Sequence, residues 1–327
     1  YFGKDEWSEH APGIKTLEDA LQMRARILDA FENAELETDS ARQHDWMTFV
    51  IVGAGPTGVE LAGSLCEISR DALPRDFRAI NTEEAVVYLV EGTDRVLPTD
   101  PRSLSKAAAR QLAQLGVTIR TRTMVTEIDA EGVTVRGTEG TETSRINART
   151  VLWAAGVAVG RFGKALAEAT DAPTDRVGRI QVNHDLTIPD YPNIWVVGDL
   201  AAAEWSPGQM VPGVAQGGIQ GGQYAARAII AKRDGVAIPD FEFKDLGELA
   251  TIGRLRAVAD FRMIRFSGFM AWFAWLAIHI FWLIGLQNRL LVMVRWAWSF
   301  ISRGRGSRLI TGLKAHSSDR EGKGGLG

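Results

Sequence analysis

Residues 49–62 read Phe-Val-Ile-Val-Gly-Ala-Gly-Pro-Thr-Gly-Val-Glu-Leu-Ala. The apolar run at the start is typical of a buried parallel strand, and the last residues have helical periodicity. Between them, Gly53, Gly55 and Gly58 form a G-x-G-x-x-G turn. A strand, this turn and a helix in that order predict a dinucleotide site, whereas the glycines alone would indicate only a tight turn. We expect Gly53 to permit the turn, Gly55 to let a pyrophosphate approach the backbone at the helix N-terminus, and Gly58 to let the helix and strand pack closely.

A second apolar strand, residues 85–90, ends at Glu91. In a dinucleotide-binding fold a carboxylate at this position accepts hydrogen bonds from the adenine-ribose hydroxyls. It would also repel a 2′-phosphate, so Glu91 favours NADH over NADPH. The spacing from the glycines exceeds the usual value of about 20 residues, and a polar insertion at 74–84 accounts for the difference. The alternative is a strand-end carboxylate with no ligand.

Two later strands also run into small or turn-forming residues. The strand at 150–153 is followed by Ala155 and Gly156, as a chain crossing close to a cofactor or between domains requires, although a tight turn alone would also explain them. The apolar strand at 194–197 ends in Gly198-Asp199. Asp199 is placed to accept hydrogen bonds from a sugar or ribitol hydroxyl, or to cap the next helix.

A glycine-rich segment at 212–223 precedes an Ala-rich helix that is predicted to end near Lys232. So many glycines at a helix start are costly unless a ligand or another backbone approaches closely. Gln216 and Gln220 are four residues apart, so they share one face of this helix. The alternative is an ordinary polar face.

The remaining pattern indicates an α/β protein. A cap at Thr16–Asp19 predicts a connecting helix that ends near Glu37. A further helix at 103–115 and strands at 117–121, 132–135, 250–253 and 257–259 are also predicted.

The composition is that of a globular chain large enough for at least two domains. Of 327 residues, 46% are apolar and 24% charged, and the formal net charge of −3 argues against a nucleic-acid partner. The single cysteine, Cys66, excludes a disulfide within the chain and favours a reducing compartment. We expect Cys66 to be a small buried side chain, and no metal site is predicted.

The C-terminal segment differs from the rest in charge and aromatic content. Residues 261–318 contain no Asp or Glu but several arginines. The 23 residues from Phe266 to Asn288 are uncharged and long enough to span a membrane. Because Arg289 and Arg295 interrupt the following apolar segment and tryptophans are frequent, we favour two helices in the membrane interface. A buried helical hairpin at a soluble dimer interface is the other alternative.

Within the first apolar segment, helical spacing predicts one embedded stripe formed by Trp272, Trp275, His279 and Trp282. His279 is expected to be an interfacial polar group and not a catalytic residue.

Together these motifs resemble the type II NADH dehydrogenases, the single-subunit flavin-dependent NADH:quinone oxidoreductases. Besides the glycine turn, the matching segments are Tyr1-Phe2-Gly3, Ala11 to Thr16, Trp153 to Val157, Val197-Gly198-Asp199, Ala215 to Gly221 and the Trp-rich tail. The resemblance implies an α/β fold with two Rossmann-like dinucleotide-binding domains, for FAD and NADH, and C-terminal amphipathic helices that anchor the protein to the membrane.

The family's functional residues map onto positions of this chain. NADH is expected at Gly53, Gly55, Gly58 and Glu91, and FAD at Asp199, with Ala155, Gly156 and Gly198 as further cofactor contacts. The resemblance implies that Ala215, Gln216 and Gln220 line the isoalloxazine ring and the quinone pocket, and a helix starting near Gly213 would point at the flavin C2 carbonyl. Glu60 corresponds to a glutamate near the nicotinamide–flavin junction, although helix-dipole stabilisation would also explain it.

Two features depart from the family pattern. The family begins with its own G-x-G-x-x-G loop for FAD, and no such motif precedes Gly53, so about 100 residues of the FAD domain are expected to be missing, leaving this domain incomplete here. In addition, Asp245-Leu246-Gly247 has leucine where many relatives have lysine, which puts a proton-donating role there in doubt.

The resulting domain prediction has five parts: a connecting segment (1–46), an NADH-binding domain (47–156), the C-terminal part of the FAD domain (157–260), membrane-associated helices (261–314) and a disordered tail (315–327).

The expected activity is hydride transfer from NADH to FAD and then two-electron reduction of a membrane quinone, ubiquinone or menaquinone, without proton pumping. We expect a peripheral protein on the cytoplasmic face of the bacterial plasma membrane, held by residues 262–308, and a possible homodimer. The alternatives are a soluble NADH-dependent ferredoxin or rubredoxin reductase and a non-catalytic, membrane-associated NAD-binding protein.

Overall fold

The computed structural model describes residues 1–156, 159–283 and 285–302, which form two compact units. One unit comprises Tyr1–Ala155 and the residues from Glu248 onward, and the other comprises Gly156–Gly247. The predicted disordered tail (315–327), the end of the predicted membrane-associated segment and Val157 lie outside the described residues.

The helices and strands follow in chain order. The α-helices are α1 (Leu17–Leu36), α2 (Ser40–Trp46), α3 (Pro56–Glu67), α4 (Arg102–Gln114), α5 (Arg161–Thr170), α6 (Ala215–Arg233), α7 (Phe269–Trp282) and α8 (Leu286–Ser302). The strands of the first unit are β1 (Thr48–Val52), β2 (Val86–Val90), β3 (Val117–Arg120), β4 (Thr123–Asp129), β5 (Gly132–Gly137), β6 (Thr143–Asn147) and β7 (Thr150–Trp153), then β14 (Glu248–Gly253), β15 (Arg256–Asp260) and β16 (Arg265–Ser267). The second unit contains β8 (Ile180–Gln181), β9 (Thr187–Ile188), β10 (Tyr191–Trp195), β11 (Ala201–Ala202), β12 (Glu204–Ser206) and β13 (Gln209–Met210).

A four-stranded parallel sheet forms the centre of the first unit, with strand order β3-β2-β1-β7. All five residues of β1 are buried, as the apolar run predicts for a central parallel strand. The main core lies against this sheet and contains Phe31 of α1, Phe49 of β1, Leu65 of α3, Leu89 of β2 and Leu112 of α4. The α/β Rossmann-like fold is therefore confirmed.

The N-terminal segment packs against the last strand of the same sheet. Trp153 donates its backbone N–H to the Pro12 carbonyl (2.9 Å), and Gly13 pairs in parallel with Trp153. The predicted cap of α1 is confirmed, because the Thr16 side chain and the Asp19 carboxylate form a reciprocal capping box. Cys66 is buried as expected, and burial raises its thiol pKa to about 11.

Several elements were not predicted. Strands β4 and β6 flank β5 in a three-stranded antiparallel sheet, but each buries only one residue fully, so neither has a strong apolar alternation. Helix α2 has only seven residues and buries none of them fully, so its sequence carries little periodic signal. Helix α5 has a clear amphipathic pattern, although it buries only Gly163 fully, and it was also not predicted.

The prediction of one apolar segment from 266 to 288 is wrong in its boundaries. Arg265–Ser267 is a strand of the β14-β15-β16 sheet, and Gly268 turns the chain at φ +78° before α7 begins. Helix α7 has 14 residues and is therefore about 21 Å long. Within the described ranges, no helix combines the length and apolar character needed to cross a membrane.

The predicted stripe of Trp272, Trp275, His279 and Trp282 is divided in the structure, where Trp275 stacks on His279 but two of the tryptophans pack against α8. The Trp275 ring stacks on Trp296 of α8, with centroids 5.6 Å apart and planes inclined by 11°. Trp272 contacts Phe300 of α8 at 5.6 Å. These two tryptophans pack between the helices because α7 is paired with α8, whereas Trp282 is exposed.

The second unit has its own core, formed around α6 by short strand pairs. It includes Ile180, Ile188, Val196 and Tyr224. The strands at 248–260, which the sequence assigns to the segment 157–260, belong to the first unit, where β14 packs on α3.

A buried carboxyl group near the β14–β16 sheet gives the first unit a pH-dependent stability. Asp100 is 6% exposed, and burial raises its pKa to about 6, with Glu248 and Asp260 adding to the effect and Arg262 opposing it. The folded state therefore binds this proton more tightly than the unfolded chain, so stability falls as pH rises from about 4 to about 6.

We expect Asp100→Asn to be more stable than the wild type by about 3 kcal/mol above pH 6, with the difference vanishing below about pH 4. Urea unfolding across this pH range measures the effect. An unchanged slope of stability against pH in the variant would show that Asp100 does not carry the effect, and Asp94→Asn, near the surface in the same loop, serves as the control.

Candidate functional site

The glycine turn lies at the carboxyl end of β1. Gly53 has φ +99°, and a Cβ there would lie 2.7 Å from the backbone N and Cα of Ala155. A Cβ at Gly58 would lie 1.8 Å from the Gly53 carbonyl oxygen. Neither position has room for a side chain, because the end of β7 and the first turn of α3 both press on the turn.

Gly55 differs from its neighbours in being unobstructed. A Cβ at this position would meet no atom within 4 Å, and its backbone is extended (φ −69°, ψ −176°). It immediately precedes α3, whose N-terminus has no side-chain cap. An open backbone face beside uncapped helix N–H groups fits a pyrophosphate.

Glu91 closes the turn from the side of β2. Its Oε2 accepts a hydrogen bond from the Ala54 N–H (2.7 Å), and its Oε1 accepts one from the Thr93 N–H (2.8 Å). Each oxygen of a carboxylate has a second lone pair, so both can still accept ribose hydroxyls. The Glu91 carboxylate thus stabilises the conformation of the turn and also provides hydrogen-bond acceptors for a ligand. These residues fit the adenosine and pyrophosphate part of NADH.

Glu60 lies one turn further along α3 and faces β14. Its Oε1 accepts hydrogen bonds from the Thr251 N–H (3.3 Å) and the Thr251 hydroxyl (3.2 Å). Burial raises the pKa of Glu60, while the two Thr251 bonds and the charge of His279 oppose the rise. The carboxyl group therefore holds a proton at higher pH than an exposed glutamate does.

Glu60 also lines a cavity of about 660 Å³ within the first unit. One wall of the cavity is polar and comes from α3 and the helical turn directly after it, with Glu60, Ser64, Glu67 and Asp71. The opposite wall is aromatic and comes from α7 and α8, with Trp272, Trp275, Trp296 and Phe300. A planar, amphipathic ring fits such a pocket, since the aromatic wall can stack on it and the carboxyl groups can hydrogen bond to its polar edge.

In the second unit, the Gly198-Asp199 turn lies against the first turn of α6. Gly198 has φ +67°, and a Cβ there would lie 3.4 Å from the Gly218 Cα. The side chain of Asp199 is exposed, and its Oδ1 would lie 3.6 Å from a Cβ placed on Gly213. An exposed carboxylate beside the uncapped start of α6 fits a polyol such as the ribitol of FAD.

Gln216 and Gln220 lie on one face of α6, and both hold the segment 244–247. The Gln216 amide donates to the Gly247 carbonyl (2.9 Å) and accepts from the Leu246 N–H (3.1 Å). The Gln220 amide donates to the Lys244 carbonyl (2.8 Å) and accepts from the Lys244 N–H (2.9 Å). The structure thus brings both predicted glutamines onto one backbone segment, next to Ala215 at the helix start.

Most residues that line the cavity were not predicted as site residues from the sequence, among them Ser64, Glu67, Thr251 and Arg254. For the residues of α3 and the turn after it a signal was available, since Glu60, Ser64, Glu67 and Asp71 have the spacing of one helical face. Thr251 and Arg254 have no such local signal, because they reach the cavity through the packing of β14 on α3. Among the described residues, no group of three or more His, Cys, Asp or Glu side chains forms a metal site.

Comparison with known proteins identifies the family. Residues 9–225 match the family model of the pyridine nucleotide-disulphide oxidoreductases, and residues 246–305 match that of the NDH2 C-terminal domain. The type II NADH:quinone oxidoreductase Ndh of Mycobacterium tuberculosis is 43% identical over 323 residues, covering 98% of this chain and 68% of the relative. The chain belongs to the type II NADH dehydrogenases.

A second relative of this family from the same organism, NdhA, is 43% identical over 95% of this chain and 66% of its own length. This chain thus spans about two thirds of the length of these two relatives. In fold, it is similar to NDH2 from Plasmodium falciparum solved in complex with NADH, with a TM-score of 0.81 and 18% identity over 94% of this chain and 76% of that one.

Proposed function

We propose that the protein is a flavin-dependent NADH:quinone oxidoreductase that does not pump protons. The two mycobacterial relatives bear the name NADH:quinone oxidoreductase. The observation that carries the proposal is the double role of α3. Its N-terminus faces the open backbone of Gly55, where a dinucleotide fits, and Glu60 on the same helix lines the aromatic cavity, where a quinone ring fits.

For the dinucleotide, we propose that Gly53, Gly55 and Gly58 form the pyrophosphate cradle and that Glu91 accepts the ribose hydroxyls. A 2′-phosphate next to this carboxylate would be repelled, so NADH is the expected donor. Ala155 presses against the cradle and, with Gly156, is proposed to let the cofactor pass close to the backbone.

Bound FAD would accept hydride from the nicotinamide and pass two electrons to the quinone. We propose that Gly198 and Asp199 hold the ribitol and that the start of α6, with Ala215, orients the ring by its positive end. Gln216 and Gln220 are proposed to act through the segment 244–247, which their side-chain amides hold in place.

We propose further that α7 and α8 lie in the membrane interface, within the segment 262–308, on the cytoplasmic face of a bacterial plasma membrane. Both helices carry exposed apolar side chains, including Phe281 (70% exposed), Leu286 (71%) and Trp298 (71%). Exposed aromatic and aliphatic groups of this kind bind at the headgroup boundary. We also propose a homodimer, because the same exposed apolar surface of α7 and α8 could pack against a second copy of the chain.

Steady-state oxidation of NADH by the full-length protein loaded with FAD tests this function. We expect quinone-dependent oxidation of NADH and at least about tenfold lower kcat/KM with NADPH. Reduction of ferredoxin without reduction of quinone would instead establish a soluble reductase. Binding of NADH without bound flavin or turnover would establish a non-catalytic NAD-binding protein.

Glu60 provides a residue-level test of the cavity. Because burial raises its pKa, Glu60 can carry a proton to a quinone bound in the cavity, and quinone reduction consumes protons. We expect Glu60→Gln, which keeps an acceptor for Thr251, to lower kcat with quinone by about 10- to 100-fold. The KM for NADH and the rate with ferricyanide, an acceptor that takes up no proton, should change little.

The control is Glu83→Gln, an exposed glutamate outside the cavity. Equal losses with quinone and ferricyanide in Glu60→Gln would contradict a role at the quinone.

A further inference from the structure

The turn between β14 and β15 is wedged between α3 and α8. A Cβ at Gly253 would lie 2.6 Å from the Glu67 Oε1 and 3.1 Å from the Leu115 Cδ1. Leu255 has φ +61°, in the left-handed region. The turn is therefore held tightly on its α3 side.

Arg254 connects three elements of the first unit. Its backbone N–H donates to the Glu67 carboxylate of α3. Its Nη2 donates to the Phe300 carbonyl of α8 (2.7 Å), and its guanidinium carbon lies 3.8 Å from the centre of the Phe300 ring. The side chain thus makes a hydrogen bond and a cation–π contact with the same residue.

The site of attachment on α8 is its last described turn. Phe300 lies two residues before Ser302, the last described residue of α8. Arg254 thereby joins the β14–β15 hairpin to this turn of α8.

The attachment matters because Arg254 and Phe300 both line the cavity of about 660 Å³. Phe300 also packs on Trp272 of α7, and Trp296, one turn earlier on α8, stacks on Trp275. The position of α8 therefore sets the spacing between the aromatic wall and the carboxyl groups of α3.

We propose that Arg254 is a positioning residue that fixes α8 over the cavity and so determines how tightly the apolar part of a quinone is held. This inference rests on the proposed function, because it takes the quinone to occupy this cavity. The proposed role is in quinone binding and not in the chemical step, since the guanidinium is already engaged in contacts with Phe300.

Steady-state kinetics of Arg254→Ala and Arg254→Lys test the proposal. With a quinone that carries an alkyl tail, Arg254→Ala should raise KM by about fivefold or more with kcat within about twofold of wild type. With a tailless quinone the rise should be smaller, and ferricyanide reduction should be unchanged. Lysine keeps the charge but not the planar fork, so Arg254→Lys should have an intermediate KM. Arg110→Ala, exposed on α4, is the control.

Hydrogen exchange of the α8 amides gives a second readout that needs no activity. Exchange should be faster in Arg254→Ala than in the wild type and intermediate in Arg254→Lys. An unchanged KM for the tailed quinone, or unchanged α8 exchange, in both variants would overturn the proposal. A wild-type protein that reduces no quinone, with faster α8 exchange in Arg254→Ala, would refute the proposed function but leave the attachment of α8 established.

Discussion

Replacing Gly55 with alanine should leave the fold intact and raise the KM for NADH by about tenfold or more, corresponding to roughly 1.4 kcal/mol of binding free energy. The backbone of Gly55 is extended, a conformation open to any residue, and a Cβ there meets no atom within 4 Å. The protein itself therefore has no reason to require glycine at this position. The requirement comes from a ligand that approaches the backbone, which is the role that the pyrophosphate of NADH would have.

The measurement is the KM for NADH and the dissociation constant of NAD⁺, together with the midpoint of urea unfolding. Gly140→Ala is the matched control, because a Cβ there also meets nothing within 4 Å but the residue is remote from the turn. A Gly55→Ala protein with wild-type affinity for NADH would show that the cofactor does not contact this turn.

The second large effect concerns stability. Gly63 lies in the middle of α3, and a Cβ there would lie 1.6 Å from the carbonyl oxygen of Ile252 in β14. Neither backbone can yield easily, because α3 packs on the central sheet and β14 pairs with β15. We expect Gly63→Ala to lower the free energy of unfolding by about 3 kcal/mol or more, which is at the upper end for overpacking in a core.

Urea unfolding of the purified variant measures this loss. Gly222→Ala provides the control, since Gly222 also lies inside a helix, α6, but a Cβ added there would have no atom within 4 Å. Alanine is the better helix former by about 0.5–1 kcal/mol, so this control should be unchanged or slightly more stable. Wild-type stability in Gly63→Ala would contradict the close packing of β14 on α3.

The sequence was sufficient for the four strands of the central parallel sheet and for the glycine turn. Strands such as β1 are buried on both faces and therefore appear as continuous apolar runs, and the spacing of the glycines reflects local steric demands that do not depend on the rest of the chain. The end of β2 at Glu91 could be read in the same way. What the sequence did not reveal is that this carboxylate also bonds the Ala54 N–H, a contact 37 residues distant.

The C-terminal region could be predicted only in part. An uncharged segment of 23 residues carries no sign of where a strand ends and a helix begins, and the break at Gly268 depends on pairing of β16 with β15. Arg254 could not be found from local pattern at all. Its partners Glu67 and Phe300 are 187 and 46 residues away, so its role exists only in the folded chain.

Electron transfer from NADH to a quinone is tested most directly by following the colour of the flavin in FAD-loaded protein without oxygen. NADH should bleach the yellow absorbance, and a quinone added afterwards should restore it at a rate that accounts for steady-state turnover. NADPH should bleach it much more slowly, as the position of Glu91 requires. A flavin that NADH reduces but quinone does not reoxidise would contradict the proposal that this protein passes electrons from NADH to a quinone.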